Sequence, residues 1–159
     1  MTYPKRYEIG DAPSSVRMLM QEVLPRLLEG EHPALAVLRN QLRDATVTEV
    51  ELSGAGFLAH FAVPANLPAT TPPQIVGGDA EIALSGVNHG AGCVLFVKNG
   101  RLSLFEGYTY GEEWSPEAEV VSIGSVTPLE PANPPLQTDG RDGRPSGSPR
   151  APAPERLYR

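Results

Sequence analysis

One cysteine in 159 residues excludes an internal disulfide, and with it the stapled scaffolds common among small secreted proteins. No apolar run approaches the ~20 residues needed to cross a bilayer. Met1-Thr-Tyr-Pro-Lys-Arg is followed by no signal-like apolar segment. The expected location is cytoplasmic, away from membranes. Positive charge is scarce as well: 13 Lys/Arg stand against 19 Asp/Glu, for a net charge of −6. Nucleic acid is therefore not expected as a partner, since its binding relies on cations that neutralise phosphates. Cys-x-x-Cys and helical His-Glu-x-x-His spacings are missing, so no metal site is expected. Gly54-Ala-Gly56 and Gly90-Ala-Gly92 are fragments of phosphate-cradling loops without the strand-to-helix context those need. They read as turns, and no cofactor is expected.

What is present is organised in two parts. Residues 1–126 hold 8 Lys/Arg and 15 Asp/Glu, whereas residues 127–159 hold 5 and 4. The first part is the acidic one and reads as a single domain with its core at about 10–126. The second carries eight prolines and three glycines in 33 residues. With few apolar anchors it reads as a largely disordered tail.

Within the domain, Val16, Leu19, Met20, Val23, Leu24, Leu27 and Leu28 recur at helical spacing behind a cap at Ser14 or Ser15. Pro25 should kink or divide that helix. Gly30 ends it, and Pro33 opens a second helix with Ala34, Val37, Leu38 and Leu42 facing inward. Strand patterns follow at Thr46–Leu52, Phe57–Val63, Ile75–Val76 with Ala80–Leu84, and Glu119–Ile123. The Pro/Thr-rich stretch from 64 to 73 should cross an edge or end of the sheet.

The central signal is Cys93–Glu106, two β-rich runs joined by Asn99-Gly100, a pair suited to the left-handed positions of a type I′ turn. An uninterrupted register sets Lys98 opposite Arg101, Val97 opposite Leu102, Leu95 opposite Leu104 and Cys93 opposite Glu106. The fold class is α+β: N-terminal helices packed on an antiparallel β-sheet with a central Asn-Gly hairpin.

Leu52-Ser-Gly-Ala-Gly-Phe57, Asn88-His-Gly-Ala-Gly-Cys-Val-Leu-Phe-Val97, Asn99-Gly-Arg-Leu102, Leu104-Phe-Glu-Gly-Tyr-Thr-Tyr110 and Glu113-Trp-Ser-Pro116 together resemble a family of small uncharacterised bacterial proteins. The resemblance covers residues 51–116, somewhat under half the chain. Some similar domains are associated with toxin-immunity loci, which implies a protein partner and carries no residue role with it.

Two functional readings follow. Tyr108 and Tyr110 alternate onto one side of an extended chain, followed by Glu112, Glu113 and Trp114. Aromatic area rimmed by carboxylates suits a partner with a basic surface. The leading reading is a non-catalytic protein-binding domain, immunity-like in class. The alternative is a small thiol- or histidine-dependent enzyme centred on Cys93, His89 and Glu106, with His60 as a further candidate. A buried cysteine, a loop histidine and a strand-end glutamate explain those residues more simply.

Overall fold

Pro25 divides the first helix rather than bending it. In the computed structural model, which describes residues 2–132, α1 spans Ser14–Glu22 and α2 spans Leu24–Leu27. Proline therefore falls in the first turn of α2, where its missing N–H removes no helical bond. The apolar stripe survives the break, with Val16, Leu19, Val23, Leu24, Leu27 and Leu28 all buried. Each such side chain contributes about 1.5–3 kcal/mol by leaving water. Helix α3 runs from Pro33 to Asp44, and His32 caps it by accepting the Ala34 N–H at Nδ1 over 3.0 Å. Ser14 and Ser15 are not caps. Pro13 holds that position, and Ser15 is a buried residue of α1.

The strands are β1 (Lys5–Tyr7), β2 (Thr46–Leu52), β3 (Gly56–Ala62), β4 (Ile75–Gly77), β5 (Asp79–Leu84), β6 (Ala91–Lys98), β7 (Arg101–Thr109) and β8 (Val120–Thr127). They form one antiparallel sheet in the order β1-β2-β3-β7-β6-β5-β8, with β4 also pairing β6. Helices and sheet share one core, which Cys93, Leu95, Val97, Phe57 and Phe105 enter from the strands. The class is α+β, as the patterning of the chain requires. β1, three residues long, carries too little pattern to be seen beforehand.

Asn99 and Gly100 connect β6 to β7, both with positive φ (54° and 77°). Lys98 faces Arg101 and Val97 faces Leu102, but the register then shifts. Ser103 is an extra residue on β7, so Phe96 faces Leu104, Leu95 faces Phe105, Val94 faces Glu106 and Cys93 faces Gly107. This corrects two expected pairs, Leu95–Leu104 and Cys93–Glu106. One inserted residue exchanges the faces of everything beyond it. Phe105 turns into the core, while Leu104 and Glu106 move to the other side, where they are half-buried.

A single amide locks the hairpin tip onto α3. Gln41, fully buried, donates from Nε2 to the Pro68 and Gly100 carbonyls and accepts the Leu102 N–H at Oε1, each at 2.9 Å. The Pro/Thr-rich stretch wraps the same tip: Thr70 N–H donates to Gly100 O, and Gly100 N–H to Pro73 O. Arg101 clamps it by donating to the carbonyls of Pro64, Ala65 and Leu67. The domain also continues past residue 126. β8 ends at Thr127, and buried Leu129 donates its N–H to Leu27 O. The rest of the expected tail, residues 133–159, lies outside the described residues.

Candidate functional site

The sheet has one face turned to the helices and another that no described helix covers. Along β3, β6 and β7 the uncovered positions are Leu58, His60, Val94, Phe96, Leu104 and Glu106, all half-buried. The register places Phe96, Leu104 and His60 in one row and Val94, Glu106 and Leu58 in the next. Val76 on β4 extends the first row and is 62% exposed. The result is an apolar field with a carboxylate at its centre. Arg6 on β1 pairs with Glu49 at 2.9 Å at the far side of this face.

At the other side of the same face, the chain opens a notch. β4 pairs β6 up to Gly77–Leu95, and β5 meets it again at Ile82–Ala91. Between those contacts, Gly78–Glu81 stand against the shorter stretch Gly92–Val94, so the two strands separate. Gly78, with φ of 83°, permits the departure, and β5 passes to β8 through Asp79–Thr127 and Ala80–Val126. Next to this parting, over the Ile82–Ala91 contact, is a cavity of about 170 Å³, lined also by Asp79, Glu81, His89 and Tyr110. Tyr108 lies beside it, its ring perpendicular to that of Tyr110 with centroids 5.6 Å apart. Burial, and then the charge of Asp79, push the Tyr108 hydroxyl up to about 12.

Both expected binding carboxylates are engaged within the fold. Glu112 accepts the N–H groups of Asn88 and His89 at 2.9 and 2.8 Å, and its Oε2 lies 3.1 Å from His89 Nδ1. It latches the β5–β6 loop to the loop after β7. Glu113 accepts the Tyr3 hydroxyl at 2.6 Å, which raises that phenol to about 12. Trp114 is fully buried, donates Nε1 to Ser15 Oγ at 3.0 Å, and stands edge-on to Phe57. It is therefore a core residue and not part of a binding surface. Tyr108 and Tyr110 stay on the uncovered face, and Tyr110 is 59% exposed.

The residues weighed for catalysis are not brought together. Cys93 is enclosed in the core, and burial pushes its thiol up to about 12, far from a nucleophilic thiolate. Glu106 points to the opposite face, across from Val94, and His89 is held at the Glu112 latch. His60 lies across from Glu49 and Leu104 on the uncovered face. Among the described residues no three His, Cys, Asp or Glu side chains gather as a metal site, and no helix is long and apolar enough to cross a membrane. Asp79 and Glu81 were missed from the sequence. Their alternation with buried Ala80 and Ile82 marked them as outward-facing, but nothing linear connects them to Tyr108.

No protein-family model, curated protein or solved structure matches the chain.

The latch makes a pH prediction. The Asn88 and His89 N–H groups hold the Glu112 carboxyl below its ordinary value. A folded pKa depressed in this way adds stability that is complete above the unfolded value and is lost as pH falls through the folded one. Hydrogen exchange at Asn88 and His89 should therefore accelerate on acidification below the usual glutamate range. Exchange corrected for intrinsic rates should lose that dependence in Glu112→Gln. Unchanged protection in the acid range would refute the latch.

Proposed function

We propose that the chain is a non-catalytic protein-binding domain whose partner, basic in character, docks on the uncovered face of the sheet. The observation that carries this reading is the face itself. Leu58, Val94, Phe96, Leu104 and Val76 form a continuous apolar field outside the core, on the side opposite the helices. Fields of this kind on one side of a sheet mark contact surfaces. Charge selects the partner. Glu106 sits inside the field, with Glu49 and Glu51 on one flank and Asp79 and Glu81 on the other. Arg6, paired with Glu49 and Glu51, and exposed Lys98 at the hairpin tip offset only part of that charge. A partner presenting lysine or arginine around an apolar centre is complementary in both respects. An inhibitory role of the immunity class fits the same reading and draws its support from the resemblance of residues 51–116.

The test is capture of partners on the full chain, with variants on the two sides of the molecule. Phe96→Ser and Glu106→Lys should abolish retention of a basic protein. Met18→Ser, on the exposed side of α1, should leave it intact, with thermal melting confirming the fold of all three. Equal retention by all variants, or none by the parent chain, would refute the assignment of the face.

A further inference from the structure

The notch at the edge of that face holds a combination of groups that the apolar field does not account for. Asp79 and Glu81 are both exposed on β5, Asp79 reaching toward Gly92 and Glu81 lying across β8, its Oε1 2.9 Å from a Cβ built at Gly124. Neither has an ion-pair partner among the described residues, where the bridges run from Arg6 to Glu49 and Glu51 and from His89 to Glu112. Beside Asp79 stand two tyrosine rings at 89° to each other. Gly92 is the floor of the arrangement: a Cβ there would lie 2.7 Å from Tyr108 Oη and 3.1 Å from Asp79 Oδ1. The missing side chain lets phenol and carboxylate converge over the β6 backbone. The cavity beside the rings lies over the point where β5 and β6 meet, Ile82 and Ala91 both lining it.

We propose that this notch receives one arginine side chain of the protein partner, its guanidinium packed in the corner of Tyr108 and Tyr110 and bonded to the carboxylate of Asp79. The inference rests on the open-face reading and narrows it to one recognised group. Each element matches guanidinium chemistry. A planar cation stacks on an aromatic face and offers parallel N–H donors to a carboxylate, which a lysine ammonium does not. An anion would meet the Asp79 carboxylate, and the one basic side chain of the lining, His89, is already held by Glu112. A divalent metal ion would meet the one Asp79 carboxylate, which already accepts the Ala80 N–H at 2.8 Å, short of the six or so oxygens a hard cation requires. The Tyr108 phenol remains neutral across the working pH range, so its ring offers the cation a face and its hydroxyl a hydrogen-bond acceptor.

The experiment is an NMR titration of the full chain with N-acetyl-arginine methylamide, using the citrulline analogue as an uncharged isostere and the lysine analogue as a second cation. Saturable shifts are expected at the amides of residues 79–82, 90–92 and 108–110. The arginine analogue should bind at least about tenfold more tightly than either comparison compound, and Asp79→Asn and Tyr110→Leu should each weaken it by a similar factor. The rest of the amide spectrum reports that the variants are folded. Absence of saturable shifts, equal response to citrulline or lysine, or unchanged affinity in Asp79→Asn would overturn the assignment. Partner capture separates this inference from the one beneath it. Loss of the partner with Phe96→Ser but not with Asp79→Asn would refute the notch and leave the face standing. A notch that binds arginine on a chain retaining no partner would do the reverse.

Discussion

Gly56→Ala should remove a large part of the stability of this domain. A Cβ built at Gly56 lies 1.9 Å from the Gly107 carbonyl oxygen, 2.8 Å from its carbon and 2.9 Å from Tyr108 Cα. All three are backbone atoms of the neighbouring β7, so no side chain can rotate to relieve the clash. β3 and β7 would have to separate where Gly56 faces Tyr108 and Phe57 faces Gly107. The pairing shapes both the core and the uncovered face. Overpacking commonly costs 1–3 kcal/mol, and a backbone clash belongs at or above the top of that range, about 3 kcal/mol or more. A marginally stable domain has roughly 5–15 kcal/mol in total. Urea denaturation should show a large fall in midpoint, or a chain already unfolded in buffer. A midpoint within a few tenths molar of the parent would contradict the strand spacing described.

Trp114→Ala should cost about as much through the opposite defect. The indole is fully buried, stands 5.2 Å from the Phe57 ring at 85°, and its Nε1 is satisfied by Ser15 Oγ. Phe57 packs edge-on to Phe105 in turn. Removing the ring empties the largest buried side chain of the core and strands the Ser15 hydroxyl inside α1. Losses of about 3–5 kcal/mol accompany Trp→Ala in such settings. The melting transition should fall sharply, and Trp114→Phe should recover part of the loss by refilling volume without the hydrogen bond. If Trp114→Ala melted with the parent and instead abolished partner binding, the tryptophan would be a surface residue and the core described here would be wrong. A change at Trp114 therefore cannot probe the binding face, whereas Phe96, Glu106 and Asp79 can.

The contrast between Glu112 and Asp79 shows why the candidate site was only half legible. Glu112 and Glu113 stood next to aromatic residues in the chain, which drew attention to them. Each is instead satisfied within the fold, by two loop N–H groups and by the Tyr3 hydroxyl. Asp79 lies 29 positions before Tyr108 in the sequence, yet the two converge over Gly92. Proximity along the chain is a poor guide to such convergence in a sheet, where neighbours are set by strand order and register.

The chain by itself determined the helical stripe from Val16 to Leu28, an interruption of it at Pro25 as either a kink or a division, the start of α3 at Pro33 and the main strands. These follow from local periodicity and from the backbone limits of proline, which act without reference to the rest of the molecule. It also determined that Tyr108 and Tyr110 share a side. The bulge at Ser103, the inward turn of Phe105, the buried amide of Gln41 and the parting of β5 from β6 were decided by the tertiary structure. Leu104 and Phe105 are both apolar and adjacent, so alternation alone cannot say which one faces the core. That choice belongs to the packing of Phe105 against Phe57, which packs in turn on Trp114, across strands and loops far apart in sequence. A single inserted residue then sets the face on which every later side chain of β7 appears, Glu106 and Tyr108 included.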